Sequence, residues 1–119
     1  MAVTPSPARD AVRATVPKMI ALSEDVIYGD IWERPNMSKR DRSLFVIAAL
    51  VATYRPEQLK GHIGRGLDNG LTKDEIAEII THLAFYSGWP GSMTAARILK
   101  EVLDRSEEHT SELQSRETI

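Results

Sequence analysis

Two histidines, one arginine and a band of aromatic rings carry the chemistry that this sequence could perform. His82 has Glu78 four residues before it and Tyr86 four residues after it, with Phe85 and Trp89 close by. Residues four apart share one face of a helix, so the Glu78 carboxylate can reach the His82 imidazole and fix its tautomer. An imidazole beside aromatic rings suits a pocket wall; it equally suits an exposed pair whose neighbouring rings pack in an interface. His62 lies at the edge of an apolar stripe made by Leu59, Ile63 and Leu67, a place for an acid–base group or for a hydrogen-bonded boundary residue. Trp32-Glu33-Arg34-Pro35 groups an indole, a carboxylate and a guanidinium, and Arg34 can grip a carboxylate through two parallel hydrogen bonds. These residue types point to acid–base work on a small organic anion.

The sequence also excludes much. It contains no cysteine, which removes disulfides, thiolate metal sites and thiol redox chemistry. The two histidines and the glutamate match no recognised ligand spacing, and the helical zinc pattern His-Glu-x-x-His is absent, so no metal is expected. No glycine-rich phosphate loop, nucleophile elbow or dinucleotide fingerprint occurs.

Residues 105–119, Arg-Ser-Glu-Glu-His-Thr-Ser-Glu-Leu-Gln-Ser-Arg-Glu-Thr-Ile, have no apolar period and resemble the in-frame translation of a sequencing-library adapter. They are read as a non-native segment or a polar disordered tail and set aside. The whole chain has 15 basic and 17 acidic residues; the tail holds two arginines and four glutamates, which leaves 13 of each. A neutral domain lacks the clustered positive field that nucleic acid or an anionic membrane requires. The longest apolar run, residues 44–52, is far short of the roughly 20 residues of a membrane span, and no secretory signal is visible at the start. A cytoplasmic location is the expectation.

The elements that must position these side chains read as helices. Residues 1–8, with Pro5 and Pro7, suggest a mobile arm. A first helix is expected from about Arg9 or Pro17 to about Asp30, with Met19, Ile20, Val26 and Ile27 on its apolar face. Ser38 looks like the N-cap of a second helix reaching about Tyr54; residues 44–52 are apolar all round, as in a helix buried on every side. Pro56 suits the start of a third helix, and Asn69-Gly70 suits its left-handed end. Gly61, Gly64 and Gly66 weaken that helix and permit close approach by another. Thr72 and Glu75 form a capping box opening a fourth helix to about Tyr86 or Ser87, with Ile76, Ile79, Ile80 and Leu83 as its core stripe. Gly88-Trp89-Pro90-Gly91 breaks the chain before a last helix to about Leu103. The expectation is one all-α domain over residues 1–104, with five or six short helices. A domain of this size has little interior for a deep pocket, so the site is expected between subunits of an oligomer.

The stretch from Tyr28 to Leu103 resembles the carboxymuconolactone decarboxylase family. The likeness rests on Tyr28-Gly-Asp-Ile-Trp-Glu-Arg-Pro, on Ser38-Lys-Arg-Asp-Arg-Ser-Leu, and on His62 within Leu59-Lys-Gly-His-Ile-Gly-Arg-Gly-Leu-Asp-Asn-Gly-Leu-Thr. It also rests on Glu75-Ile and the run from His82 through Leu-Ala-Phe-Tyr-Ser-Gly-Trp-Pro. It implies an alkylhydroperoxidase D-like all-α fold, homotrimers or homohexamers, and cofactor-free chemistry on small organic acids. In the thiol-peroxidase branch a Cys-x-x-Cys pair and a glutamate accompany the histidine aligned with His62; here those positions hold Arg55, Gln58 and Ser43, so peroxidase activity is not expected. The resemblance implies loss of carbon dioxide from 4-carboxymuconolactone to give the β-ketoadipate enol-lactone. Arg34 would hold a carboxylate, His62 would donate to the oxyanion, and His82, oriented by Glu78, would transfer the proton. The two histidines could exchange roles. Trp32, Glu33, Tyr86 and Trp89 would line the substrate site. A related lactone hydrolase or isomerase, or a helical oligomer that binds a ligand without turnover, are the alternatives.

Overall fold

The computed structural model describes the backbone of residues 5–117 and the side chains of residues 5–106. Six α-helices occur among them and no strand: α1 Pro7–Val12, α2 Pro17–Leu22, α3 Lys39–Ala52, α4 Pro56–Asp68, α5 Lys73–Ser87 and α6 Trp89–Glu117. The fold is all-α. Two compact units divide it, Met1–Lys39 and Arg40–Ile119.

In the first unit the expected mobile arm falls partly on residues 1–4, which lie outside the described residues. From Pro7 onward the arm is helical: the hydroxyl of the N-cap Ser6 accepts from the Arg9 N–H, and Pro7 stands in the first turn, where a missing N–H costs nothing. Arg13 then donates to both Glu24 oxygens, at 2.6 and 2.8 Å, and the Arg9 guanidinium lies 4.8 Å from the centre of the Tyr28 ring. The single helix expected to reach Asp30 is interrupted. After α2 the chain widens into a π-helical turn, Ser23–Tyr28, followed by a 3-10 turn, Ile31–Glu33. A wider turn changes the angle between successive residues, so a helical wheel drawn at 3.6 per turn fails beyond it. Ile20 is buried, whereas Met19, Val26 and Ile27 are exposed. Gly29 closes the π turn, where a Cβ would sit 2.7 Å from the Glu24 carbonyl oxygen.

The second unit holds an apolar core of Ile47, Val51, Leu59, Ile63, Leu71, Ile76, Ile80, Ala95, Ile98 and Leu99. The helix α6 packs on both α4 and α5. Contrary to the expectation of burial on every side, α3 buries only Arg42, Ser43, Ile47 and Val51, and leaves Phe45 46% exposed. An apolar run states what a helix can bury, while packing decides which face does. The end of α4 follows its sequence signal closely. Gly70 takes φ +106°, its N–H donates to the Leu67 carbonyl, and the Leu71 N–H reaches back to the Gly66 carbonyl at 2.9 Å. That is the Schellman arrangement, and Leu71 packs where Gly66 leaves room. The capping box at Thr72 and Glu75 is formed in full, with Glu75 also ion-paired to Arg40 of α3. Instead of stopping near Leu103, α6 continues to Glu117. Residues 105–117 contain neither Gly nor Pro, and four Glu and two Arg are the helix formers that recur in them, so nothing local stops the helix.

The three glycines of α4 separate by what surrounds them. A Cβ on Gly66 would come within 2.9 Å of Ile47 and 3.1 Å of Leu71, while Gly61 and Gly64 have open space. Gly61→Ala and Gly64→Ala should therefore each stabilise the fold by up to about 1 kcal/mol through helix propensity. Gly66→Ala should destabilise it by about 1 kcal/mol or more, because overpacking of a filled core outweighs the same gain. Thermal unfolding of the three variants checks this; a rise in Tm for Gly66→Ala would contradict it.

Candidate functional site

His62 is carried by α4, whose start is set by Pro56 and whose end is set by the Gly70 turn. Its neighbours on the helix, Leu59, Ile63 and Gly66, are buried, and they draw the imidazole into a half-buried position with its Nδ1 atom shut off from solvent. Burial, with the Arg65 guanidinium adding repulsion, holds the His62 imidazole below its ordinary range. The ring is accordingly neutral at pH 7, suited to donating a hydrogen bond or accepting a proton. The sequence reading passed over Arg65, although a spacing of three residues puts it within one helical turn of His62.

His82 stands on α5, on the face away from Ile76 and Ile80, and is exposed. Its ring stacks on Tyr86, with centroids 5.0 Å apart and planes 11° from parallel. Phe85 and Trp89 meet edge to face, centroids 6.1 Å apart at 87°. Glu78 is exposed, and no hydrogen bond or ion pair joins it to His82 among the described residues. The structure thus brings His82 together with Tyr86, and Phe85 with Trp89, without the orienting contact from Glu78. Phe85, Tyr86 and Trp89 are 79%, 77% and 59% exposed, so within one chain they form an open platform and not an enclosed wall.

The other predicted residues belong to the first unit. Trp32 is buried and stacks on Tyr28 at 6.2 Å. Glu33 accepts a hydrogen bond from Lys39 at 3.0 Å, which commits its carboxylate to an ion pair. Arg34 is exposed, following the 3-10 turn, with its backbone extended as the following Pro35 requires.

Ser43, which the family resemblance places where the thiol branch has a glutamate, is completely buried on α3. It accepts a hydrogen bond from the Asn69 side chain at 2.9 Å. No group of three or more acidic or histidine side chains among the described residues is placed to hold a metal ion. No helix among them is long and apolar enough to cross a membrane.

The neutral His62 has a consequence for stability. Its folded pKa lies below the ordinary value of 6.5, so the unfolded chain binds the proton first as pH falls. The contribution of His62 is complete above that value and is lost as pH drops through the folded pKa. Thermal melts from pH 7.5 to 5 should show the wild-type protein losing more stability than His62→Gln; parallel curves would contradict the neutral, half-buried assignment.

Residues 17–101 match the model of the carboxymuconolactone decarboxylase family. The chain is 40% identical over 75 residues to a 4-carboxymuconolactone decarboxylase of Acinetobacter baylyi, covering 63% of this chain and 56% of that protein. It is 27% identical over 77 residues to the nitrosuccinic acid decarboxylase npaB of Metarhizium robertsii, covering 65% of this chain and 54% of that protein. The chain thus spans about half the length of these curated relatives.

Proposed function

The chain belongs to the carboxymuconolactone decarboxylase family, and on that premise we propose that it is a carbon–carbon lyase removing carbon dioxide from a small carboxylic acid, with 4-carboxymuconolactone as the first candidate substrate. The observation that carries this reading is the 40% identity to a protein of that name, over a stretch that includes the helix of His62. The second relative acts on a nitro acid by its name. A nitro group and a conjugated lactone carbonyl are both electron acceptors. The substrate class is therefore an acid whose departing carboxylate leaves its electron pair on a carbon connected to such an acceptor.

For the lactone, the bond between the ring carbon and the carboxylate breaks, and its electron pair moves through the conjugated double bond to the lactone carbonyl oxygen. The resulting dienolate then takes a proton on carbon, and carbon dioxide leaves. The enzyme must hold an anion, stabilise a developing oxyanion, keep water from the departing carboxylate and deliver one proton. The Arg34 guanidinium supplies the anion grip. His62, neutral at its half-buried position, supplies a hydrogen bond to the oxyanion without contributing a full charge that would hold the substrate carboxylate in place. His82 transfers the proton. Trp32, Tyr86 and Trp89 provide apolar surface, while Glu33 serves by holding Lys39.

In a spectrophotometric assay with 4-carboxymuconolactone, Arg34→Ala should mainly raise KM, because the grip on a carboxylate acts on substrate and transition state alike. His62→Gln should lower kcat by about 100-fold, the scale of a lost oxyanion donor, and His82→Asn by about 100-fold or more, the scale of a lost general acid. Circular dichroism should show all three variants folded. A fully assembled protein that releases no carbon dioxide from either the lactone or nitrosuccinate would overturn the proposal.

A further inference from the structure

Within the first unit, α1 is attached by charge. Pro7, Ala8, Asp10, Ala11 and Val12 are exposed, and no residue of this helix enters an apolar core. Six residues are too few for a helix to hold itself in water. What fastens α1 is a pair of arginines one turn apart. Arg13 donates to both oxygens of Glu24, and the Arg9 Nε lies 3.6 Å from the same carboxylate. The Arg9 side chain is only 10% exposed, deep for a charged group on an otherwise exposed helix.

A guanidinium taken out of water needs its charge answered, and two groups four residues apart on the π turn answer it, Glu24 and Tyr28. The Arg9 guanidinium stands over the Tyr28 ring, 4.8 Å from its centre, within cation–π range. A leucine at position 9 would bury apolar surface; a planar cation adds a preference for the ring face and so fixes the tilt of Tyr28. Tyr28 in turn stacks on Trp32, with planes 24° from parallel. Trp32 is the middle residue of the 3-10 turn Ile31–Glu33, and its buried indole anchors that turn. The Arg34 N–H donates to the Ile31 carbonyl at 3.4 Å, which ties the backbone of Arg34 to the same turn. A continuous chain of contacts thus leads from α1 to the residue assigned the grip on the substrate.

We propose that Arg9 and Tyr28 are positioning residues: α1, clamped on Glu24, sets the Tyr28 ring, the ring sets the Trp32 indole, and the indole holds the turn that presents Arg34 to the substrate carboxylate. Neither residue touches the substrate. Arg34 is exposed on extended backbone, so a loose turn would let its guanidinium sample many positions and lose that freedom on binding, which weakens affinity. The last step, from the turn to the substrate, rests on the decarboxylase reading above; the steps from α1 to Trp32 do not.

The test uses full-chain Arg9→Met, which keeps an unbranched stem without the charge, together with Tyr28→Leu and Tyr28→Phe. Fluorescence is read in a Trp89→Phe background, where Trp32 is the remaining indole. There Arg9→Met and Tyr28→Leu should each move the Trp32 emission to the red while the helix content by circular dichroism stays unchanged. In chains that retain Trp89, both should raise KM for 4-carboxymuconolactone about 10-fold and keep kcat within about twofold, the scale of one weakened charge-assisted hydrogen bond. Tyr28→Phe, which keeps the ring, should match the wild type in both readouts. A merely structural role would lower Tm and leave KM in place. Should Tyr28→Leu fail to fold, Arg9→Met decides by the same two readouts. Unchanged emission in the folded variants, or shifted emission with unchanged KM, would overturn the inference. A wild type that releases carbon dioxide from neither the lactone nor nitrosuccinate removes the reaction and the substrate step together, and the emission of the same variants still decides whether Arg9 and Tyr28 hold Trp32.

Discussion

The close approach of α3 and α4 at Gly66 is the constraint on which the second unit depends. With no side chain at that position, Ile47 and Ser43 of α3 come against α4, and Leu71 folds back onto the same spot from the turn that follows. The terminal methyl groups of Ile47 and Leu71 fill a volume that any Cβ would contest. With α4 also packed against α6, Leu59, Ile63 and Gly66 go inward, and His62, beside them on the helix, stops at the boundary. The lowered proton affinity of His62 follows from where the boundary falls, because burial is its main cause. A packing requirement between two helices therefore contributes to the lowered proton affinity of an imidazole.

Where structure was set by local signals, the sequence could be read directly. Pro56, Asn69-Gly70, the Thr72–Glu75 box and Gly88 each satisfy or prevent particular backbone hydrogen bonds, so the ends of α4 and α5 fall where those residues stand. The π turn at Ser23–Tyr28 has no such punctuation before it. Its mark is Gly29, whose missing Cβ leaves room for two carbonyl oxygens, and a glycine following an apolar helix reads equally well as an ordinary end. Burial was legible for Ile76 and Ile80 but not for α3, since an all-apolar helix shows no periodicity to identify its inner face.

The site was legible in its residue types more than in their contacts. Spacing placed both Glu78 and Tyr86 one turn from His82, and it could not choose between them. Physical chemistry explains the outcome within the chain: an exposed carboxylate–imidazole pair gains little against water and loses side-chain freedom, whereas stacking two flat rings removes apolar surface from solvent. His82 lies against Tyr86 accordingly. Arg65 illustrates a different gap. As a surface arginine it invites no comment, and its effect on His62 exists because the imidazole is already partly desolvated, so that a nearby charge is felt more strongly than in water.

Ser43 bears on how this chain differs from thiol-dependent relatives of similar fold. The family resemblance places it where that branch carries a glutamate, a position that in this chain is fully enclosed and tied by Asn69 to the end of α4. An ionised carboxylate taken out of water there would cost several kcal/mol without a matching cation or several hydrogen bonds. A neutral hydroxyl avoids that cost, and the Asn69 amide donates to it. The hydrogen bond pins α3 to the turn where α4 ends, next to Gly66, so it reinforces the contact that holds His62 at the core edge.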